Sequence, residues 1–281
     1  MAIDNSFLIK KIKDKRELVV AFSAFTSMPY VACDDETGND RVWIFESEEL
    51  LQEFAKPYLE QKRILRGVKF KNKNFLGFFA SLYLMGVNEI VFVTENGEIA
   101  TELEAVVRRP DYSKMKPESR PIENPNLQLT GMYFMQEASR PVPTEEKEGL
   151  SDLEEEFAVN LTKAKYLMAL ELIEGPGTLQ EKLKNNQFRI PIIKDQQGHA
   201  YQPLFTDPME FQKFSKNRKL AAIGVPFSKL QPFLTKDVEG YMLNPGGFHI
   251  HISRALLDGL NEAQDEEAEE GTADGAGETE E

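Results

Sequence analysis

One cysteine, Cys33, stands in 281 residues. An internal disulfide needs two, and a cysteine-built metal site needs several, so both are excluded. As a nucleophile Cys33 lacks a histidine nearby in sequence, and it reads as a small strand residue. No run approaches the roughly 18 apolar residues of a membrane-spanning helix. The opening MAIDNSFLIKKIKDKREL has no long apolar stretch behind its first basic residues, so no secretory signal is expected. The charge balance is acidic, at a formal net charge of -14, and reads as having no basic stripe. Phosphate contacts need clustered Lys and Arg, so nucleic acid is not an expected partner, and with no apolar span neither is a membrane. There is no G-x-G-x-x-G, no P-loop, no G-x-S-x-G and no H-E-x-x-H. No cofactor is therefore expected, and an enzyme is not the first reading. A reducing cytoplasm is the expected setting.

What the chain does have is one phrase written twice. VWIFESEELLQEF (42–54) and QPLFTDPMEFQKF (202–214) match at Phe45/Phe205, Gln52/Gln212 and Phe54/Phe214, each pair 160 residues apart. Both read as a strand running into a helix. Ser47 and Asp207 are suited to cap that helix, because their side-chain oxygens accept from free first-turn amides. Pro208 fits the first helical position, where its missing N–H costs nothing. Upstream, each copy has a strand and a glycine-bearing polar turn, at Gly38 and Gly198. Downstream, RILRGVKF faces LAAIGVPF, with Gly67 and Gly224 and then Phe70 and Phe227 in step. KNFLGFFASLYLMG faces SKLQPFLTKDVEG, both expected as helices. EIVFVT faces FHIHIS, both expected as strands.

The expected fold is α+β. It is a tandem duplication of a small module, each a mixed sheet of four or five strands with packed helices, the two packing about a pseudo-twofold axis. The expected domains are 1–108, a linker 109–150, 151–260 and a tail 261–281. Six of the chain's 15 prolines fall in the linker, which prevents long regular elements there. Its apolar LQLTGMYFM is expected to pack as a strand. The tail holds ten acids and no base, leaving the rest of the chain near balance at -4 of the -14. With no apolar period it is expected to be disordered.

The second copy resembles the SseB N-terminal domain family, small bacterial domains named for an enhanced serine sensitivity phenotype. Phe205, Thr206, Asp207 and Phe214 in the repeated phrase carry the likeness. So do Gly224 and the Asn244-Pro245-Gly246 turn, followed by a closing strand and helix. The first copy looks like a divergent member in which the NPG turn is lost. The resemblance implies a bacterial protein of poorly defined role, with no catalytic residues or cofactor to carry over.

Two further features are candidates for chemistry. His249 and His251 alternate on a strand and share one face, a pair that would bind a metal if a third ligand came close. Phe75, Phe78, Phe79 and Tyr83 lie on a helix apolar nearly all round, which reads as core or as a face for another protein. The first functional reading is a non-catalytic interaction or regulatory module with an unknown protein partner, as monomer or homodimer. The alternative is a small-molecule or metal-binding regulator using His249 and His251.

Overall fold

The structure, a computed structural model, describes residues 6–274. It divides into two compact units, Met1–Phe157 and Ala158–Glu281. The fold is α+β, with a mixed sheet in each unit.

The first unit opens with α1 (Ser6–Asp14) and continues through β1 (Glu17–Ser23), β2 (Val31–Cys33), β3 (Asp40–Phe45) and α2 (Glu48–Glu60). There follow β4 (Leu65–Lys71), α3 (Phe75–Leu84), β5 (Glu89–Thr94), β6 (Gly97–Glu102) and the single turn α4 (Leu103–Val106). The strand order is β4-β1-β3-β5-β6, and β2 also pairs with β3. Only the β3–β5 pair is parallel; β1 lies antiparallel to both β3 and β4. Alternation along the strands makes two apolar faces. Val19, Trp43, Phe45, Val91 and Val93 pack with Leu51, Phe54 and Tyr58 of α2. The opposite residues include Phe92, over whose ring Lys11 of α1 lies at 5.6 Å. Every residue of β5 is buried, as expected of a strand covered on both sides.

Along the chain α5 (Pro125–Ala138) and α6 (Leu150–Lys163) come next, and the second unit then holds β7 (Lys165–Leu172), α7 (Leu179–Lys184), β8 (Phe188–Arg189), β9 (Ile193–Lys194) and β10 (Ala200–Phe205). Then come α8 (Pro208–Ser215), β11 (Ala221–Pro226), β12 (Gly240–Leu243), β13 (Ile250–Ser253) and α9 (Arg254–Asp274). Its strand order is β11-β7-β10-β12-β13, with β9 on β10 and β8 on β7. Again one pair is parallel, β10–β12. Each sheet thus has a five-strand path with short strands added at its side.

The expected caps form. Ser47 accepts from the Leu50 N–H, and Asp207 accepts from Met209 and Glu210 at 2.8 and 3.1 Å. Pro208 takes the first turn of α8. Ser47→Ala removes one cap bond at an otherwise unchanged helix, and should cost about 1 kcal/mol. A lower urea midpoint at unchanged slope is the expected reading; a midpoint equal to that of the parent would show that the cap contributes nothing.

Four expectations need correction. LQLTGMYFM is not a strand: it lies in α5 (Pro125–Ala138), which starts at Pro125 and buries Leu127 and Met132. Gln136 of α5 holds the Val31 peptide by both groups, at 3.1 and 2.9 Å, and the whole of segment 109–150 falls within the first unit. SKLQPFLTKDVEG forms no helix but two short 3-10 turns, Phe227–Lys229 and Gln231–Phe233, since Pro232 cannot donate to a helical ladder. EIVFVT does not correspond to FHIHIS. It is β5, the strand parallel to β3, and the strand parallel to β10 is β12, Gly240–Leu243. Finally, residues 261–274 continue α9, which extends from its anchored first turn, where Leu257 is fully buried. Residues 275–281 of the expected disordered tail lie outside the described residues. Among the described residues no helix is long and apolar enough to cross a membrane.

Candidate functional site

Thr206 follows β10 and Asp207 caps α8, and Asn244 follows β12 alongside. The two parallel strands therefore bring their carboxyl ends together at one polar cluster. All three side chains are buried, at 0, 1 and 0 % exposure. A buried polar group must find a partner or cost stability, and these find one another. The Thr206 N–H donates to Asn244 Oδ1 at 3.0 Å, and Asn244 Nδ2 donates to Thr206 Oγ1 at 2.9 Å. The Thr206 hydroxyl donates in turn to Asp207 Oδ2 at 2.7 Å. Asp207 Oδ1 is left for the α8 cap. Asn244 has φ +48°, the left-handed region that asparagine tolerates better than most residues. Its carbonyl accepts from Gly247 and His249, closing the turn.

The Pro245-Gly246-Gly247 loop lies against α8. A Cβ on Gly247 would come within 3.0 Å of Glu210 Oε2, and one on Gly246 within 3.3 Å of Lys213 Cβ. Glu210, 2 % exposed, is ion-paired to Lys213. Beneath α8, the Phe205 ring meets Phe211 and Phe214 at 5.5 and 5.3 Å. Arg218 stands over Phe214 at 4.6 Å. Gly224 sits apart from this cluster, on β11 opposite Leu167. The motif residues are thus joined by the fold except for Gly224, and their polar groups close a strand-to-helix junction.

In the first unit the corresponding junction is built differently. Glu46 follows β3 and holds Lys11 and Lys15 of the amino-terminal segment at 3.0 and 2.8 Å. The turn after β5 is Thr94 to Gly97, where Thr94 Oγ1 donates to the Gly97 carbonyl at 3.1 Å.

His249 and His251 are both exposed, flanking buried Ile250. His249 lies before β13, at φ +43°, and its Nδ1 is 3.2 Å from the Gly247 carbonyl. The His251 ring stacks on Tyr201 at 4.3 Å. His199, Asp195 and Glu239 stand nearby, with His199 Nδ1 3.0 Å from Asp195. Among the described residues no group of three His, Cys, Asp or Glu is placed to hold a metal ion. Desolvation first, then the neighbouring histidines, hold the His251 imidazole below its ordinary 6.5 against the pull of Asp195 and Glu239. As pH falls through that value, the unfolded chain takes up this proton before the native one. His251 therefore contributes a loss of stability on acidification, and His251→Gln should melt with a shallower decline between neutral and mildly acidic pH. An unchanged slope would remove the effect.

The aromatic face is core. Phe75, Phe78 and Phe79 are buried, and Phe78 packs on Phe70 at 4.4 Å. Tyr83 donates to the Val107 carbonyl at 2.6 Å. None of the three phenylalanines is available as a docking face; the large apolar side chain that α3 exposes is that of Leu76.

Sequence reasoning missed a cavity of about 440 Å³ in the first unit, beside Tyr30, Arg63, Gln136, Glu137 and Glu148. Arg63 donates to Glu137 and to Glu148 at 3.0 Å each, and its Nε has no acceptor among the described residues. The cavity depends on α5, so only a correct reading of LQLTGMYFM as helix would have pointed to it.

No curated protein matches the chain. Among solved structures, Tic22 from Plasmodium falciparum aligns over 84% of this chain and 90% of its own, at 12% identity and a TM-score of 0.20. Residues 142–258 match the family model of the SseB protein N-terminal domain, which includes the Thr206–Asp207–Asn244 junction. The likeness to the SseB protein N-terminal domain rests on that segment, which is less than half of the chain.

Proposed function

We propose that this chain is a non-catalytic cytoplasmic binding protein that engages or regulates a protein partner. One observation carries the reading. The polar residues of the family pattern spend their hydrogen bonds on each other inside the β10–α8–β12 junction, so the pattern describes a scaffold. We further infer that the two units arose by duplication. Their strand orders, β4-β1-β3-β5-β6 and β11-β7-β10-β12-β13, correspond strand for strand, and Gly67-Val68 and Gly224-Val225 fall on the equivalent β4 and β11.

Affinity capture from native cytosol with the full chain tests the binding reading. Reproducible enrichment of one protein, lost on competition with untagged chain, is the expected result. If nothing is enriched at low salt, the partner reading falls. A second reading, a small polar ligand in the first-unit cavity, is favoured by the buried Arg63 Nε and by a volume within the usual few hundred Å³ of such sites. A metabolite that raises the melting temperature of the parent but not of Arg63→Met would support it.

A further inference from the structure

Among the described residues the outer edge of β11 has no neighbouring strand, and its hydrogen-bonding pattern follows from two facts. β11 runs antiparallel to β7, with Ala221 opposite Leu170 and Pro226 opposite Lys165. The Phe227 N–H donates to the Ala164 carbonyl at 3.1 Å, so this next pair is a hydrogen-bonded one. Bonded and non-bonded pairs alternate in an antiparallel ladder. Val225, Ile223 and Ala221 therefore face β7 with their peptide groups, and Ala222, Gly224 and Pro226 face outward. Proline at an outward position costs the ladder nothing. The N–H and C=O of Ala222 and Gly224 have no protein partner among the described residues.

Edge strands are commonly guarded by charge against pairing with other chains. The equivalent edge in the first unit, β4, carries Arg66, Lys69 and Lys71. β11 reads Ala-Ala-Ile-Gly-Val-Pro and carries no charge at all. Its cations stand instead at its two ends: Lys216, Arg218 and Lys219 before it, Lys229 after it, all exposed. None of the four has a carboxylate partner among the described residues, in a chain whose net charge is -14.

We propose that β11 is a docking edge that takes an extended segment of a partner protein as an added strand, with acidic residues at that segment's ends. The free peptide groups of Ala222 and Gly224 supply the main-chain bonds, and the small side chains of the strand allow close approach. The flanking cations select the acidic ends. The proposal rests on the reading of the chain as a binding protein and names the surface and the chemistry of its partner.

The probe is a fluorescent peptide of alternating valine and threonine with paired glutamates at each end, titrated against the full chain. Saturable binding at low salt is expected, with slowed hydrogen exchange at Ala222 and Gly224. N-methylation of alternate peptide nitrogens should weaken binding about tenfold or more, since it deletes main-chain donors. Lysine in place of the glutamates should do the same. Ala222→Pro removes an outward N–H without cutting the β7 ladder, and should weaken binding, whereas Ala222→Thr should not. Should Ala222→Pro misfold, the surface reversal Arg218→Glu/Lys219→Glu gives the same test. Equal binding of the N-methylated probe, protection elsewhere, or no binding at all overturns the docking edge. Captured partner retained by Arg218→Glu/Lys219→Glu, with the probe silent, would remove the edge and leave the binding reading standing.

Discussion

Asn244→Ala is expected to destabilise the second unit by about 3 kcal/mol, combining the loss of buried hydrogen bonds to Thr206 with a side chain forced into the left-handed region. Thr206 loses the acceptor of its buried N–H and its hydroxyl loses a donor. Alanine at φ +48° has neither the glycine's freedom nor the asparagine's local bonding. Asn244→Gly should recover part of the loss, because it relieves the backbone and leaves the polar deficit. Asn244→Asp separates the effects by pH. It keeps the acceptor for Thr206 but sets a carboxylate beside Asp207, across the Thr206 hydroxyl. Burial and the like charge raise such a carboxyl above its unfolded value, so the native state holds the proton longer. The variant should accordingly gain stability relative to the parent as pH is lowered toward the unfolded carboxyl range. Thermal melts across mildly acidic to neutral pH decide this. A parent-like melting temperature for Asn244→Ala would mean that the junction is not what holds α8 to the sheet.

Local signals in the sequence transferred well to the structure. Alternation, the glycine turns and the Ser47 and Asp207 caps each depend on neighbours within a few residues, and those neighbours are visible in a string. The failures share a cause of the opposite kind. LQLTGMYFM is a short apolar run, which periodicity cannot assign to strand or helix, whereas Pro125 just before it suits the first turn of a helix. The pairing of EIVFVT with FHIHIS failed because chain direction within a sheet is a long-range property: β5 and β12 are the parallel strands, and β6 and β13 follow them. The candidate site divides in the same way. Thr206 and Asp207 are adjacent and legible as a cap, whereas their bond to Asn244 spans 38 residues and came only with the family motif. Phe75, Phe78 and Phe79 carried a real helical stripe, but a stripe does not say whether sheet or solvent lies opposite it.

Arg140→Met should be the costliest single change in the first unit, at about 3–5 kcal/mol, because it breaks a buried ion pair and leaves the partner charge behind. Arg140 and Glu137 are each 6 % exposed, and Arg140 Nε and Nη2 lie 2.9 and 2.6 Å from Glu137 Oε1. The same guanidinium also donates to the Gln61 and Glu146 carbonyls. It thereby ties the end of α5 and the proline-flanked segment behind it to the end of α2. Glu137 keeps Arg63 and the Glu148 N–H after the substitution, which limits the loss, but the two carbonyls lose a donor. Replacing both charges, Glu137→Leu with Arg140→Met, should cost less than the two single changes added together, since no charge is then buried alone. Urea melts of the four proteins close the cycle, and limited proteolysis between residues 139 and 149 reports whether the segment has come loose. Single changes that simply add would show that the pair is not coupled, and that the segment is held by Gln136 on Val31 and by the apolar face of α5 instead.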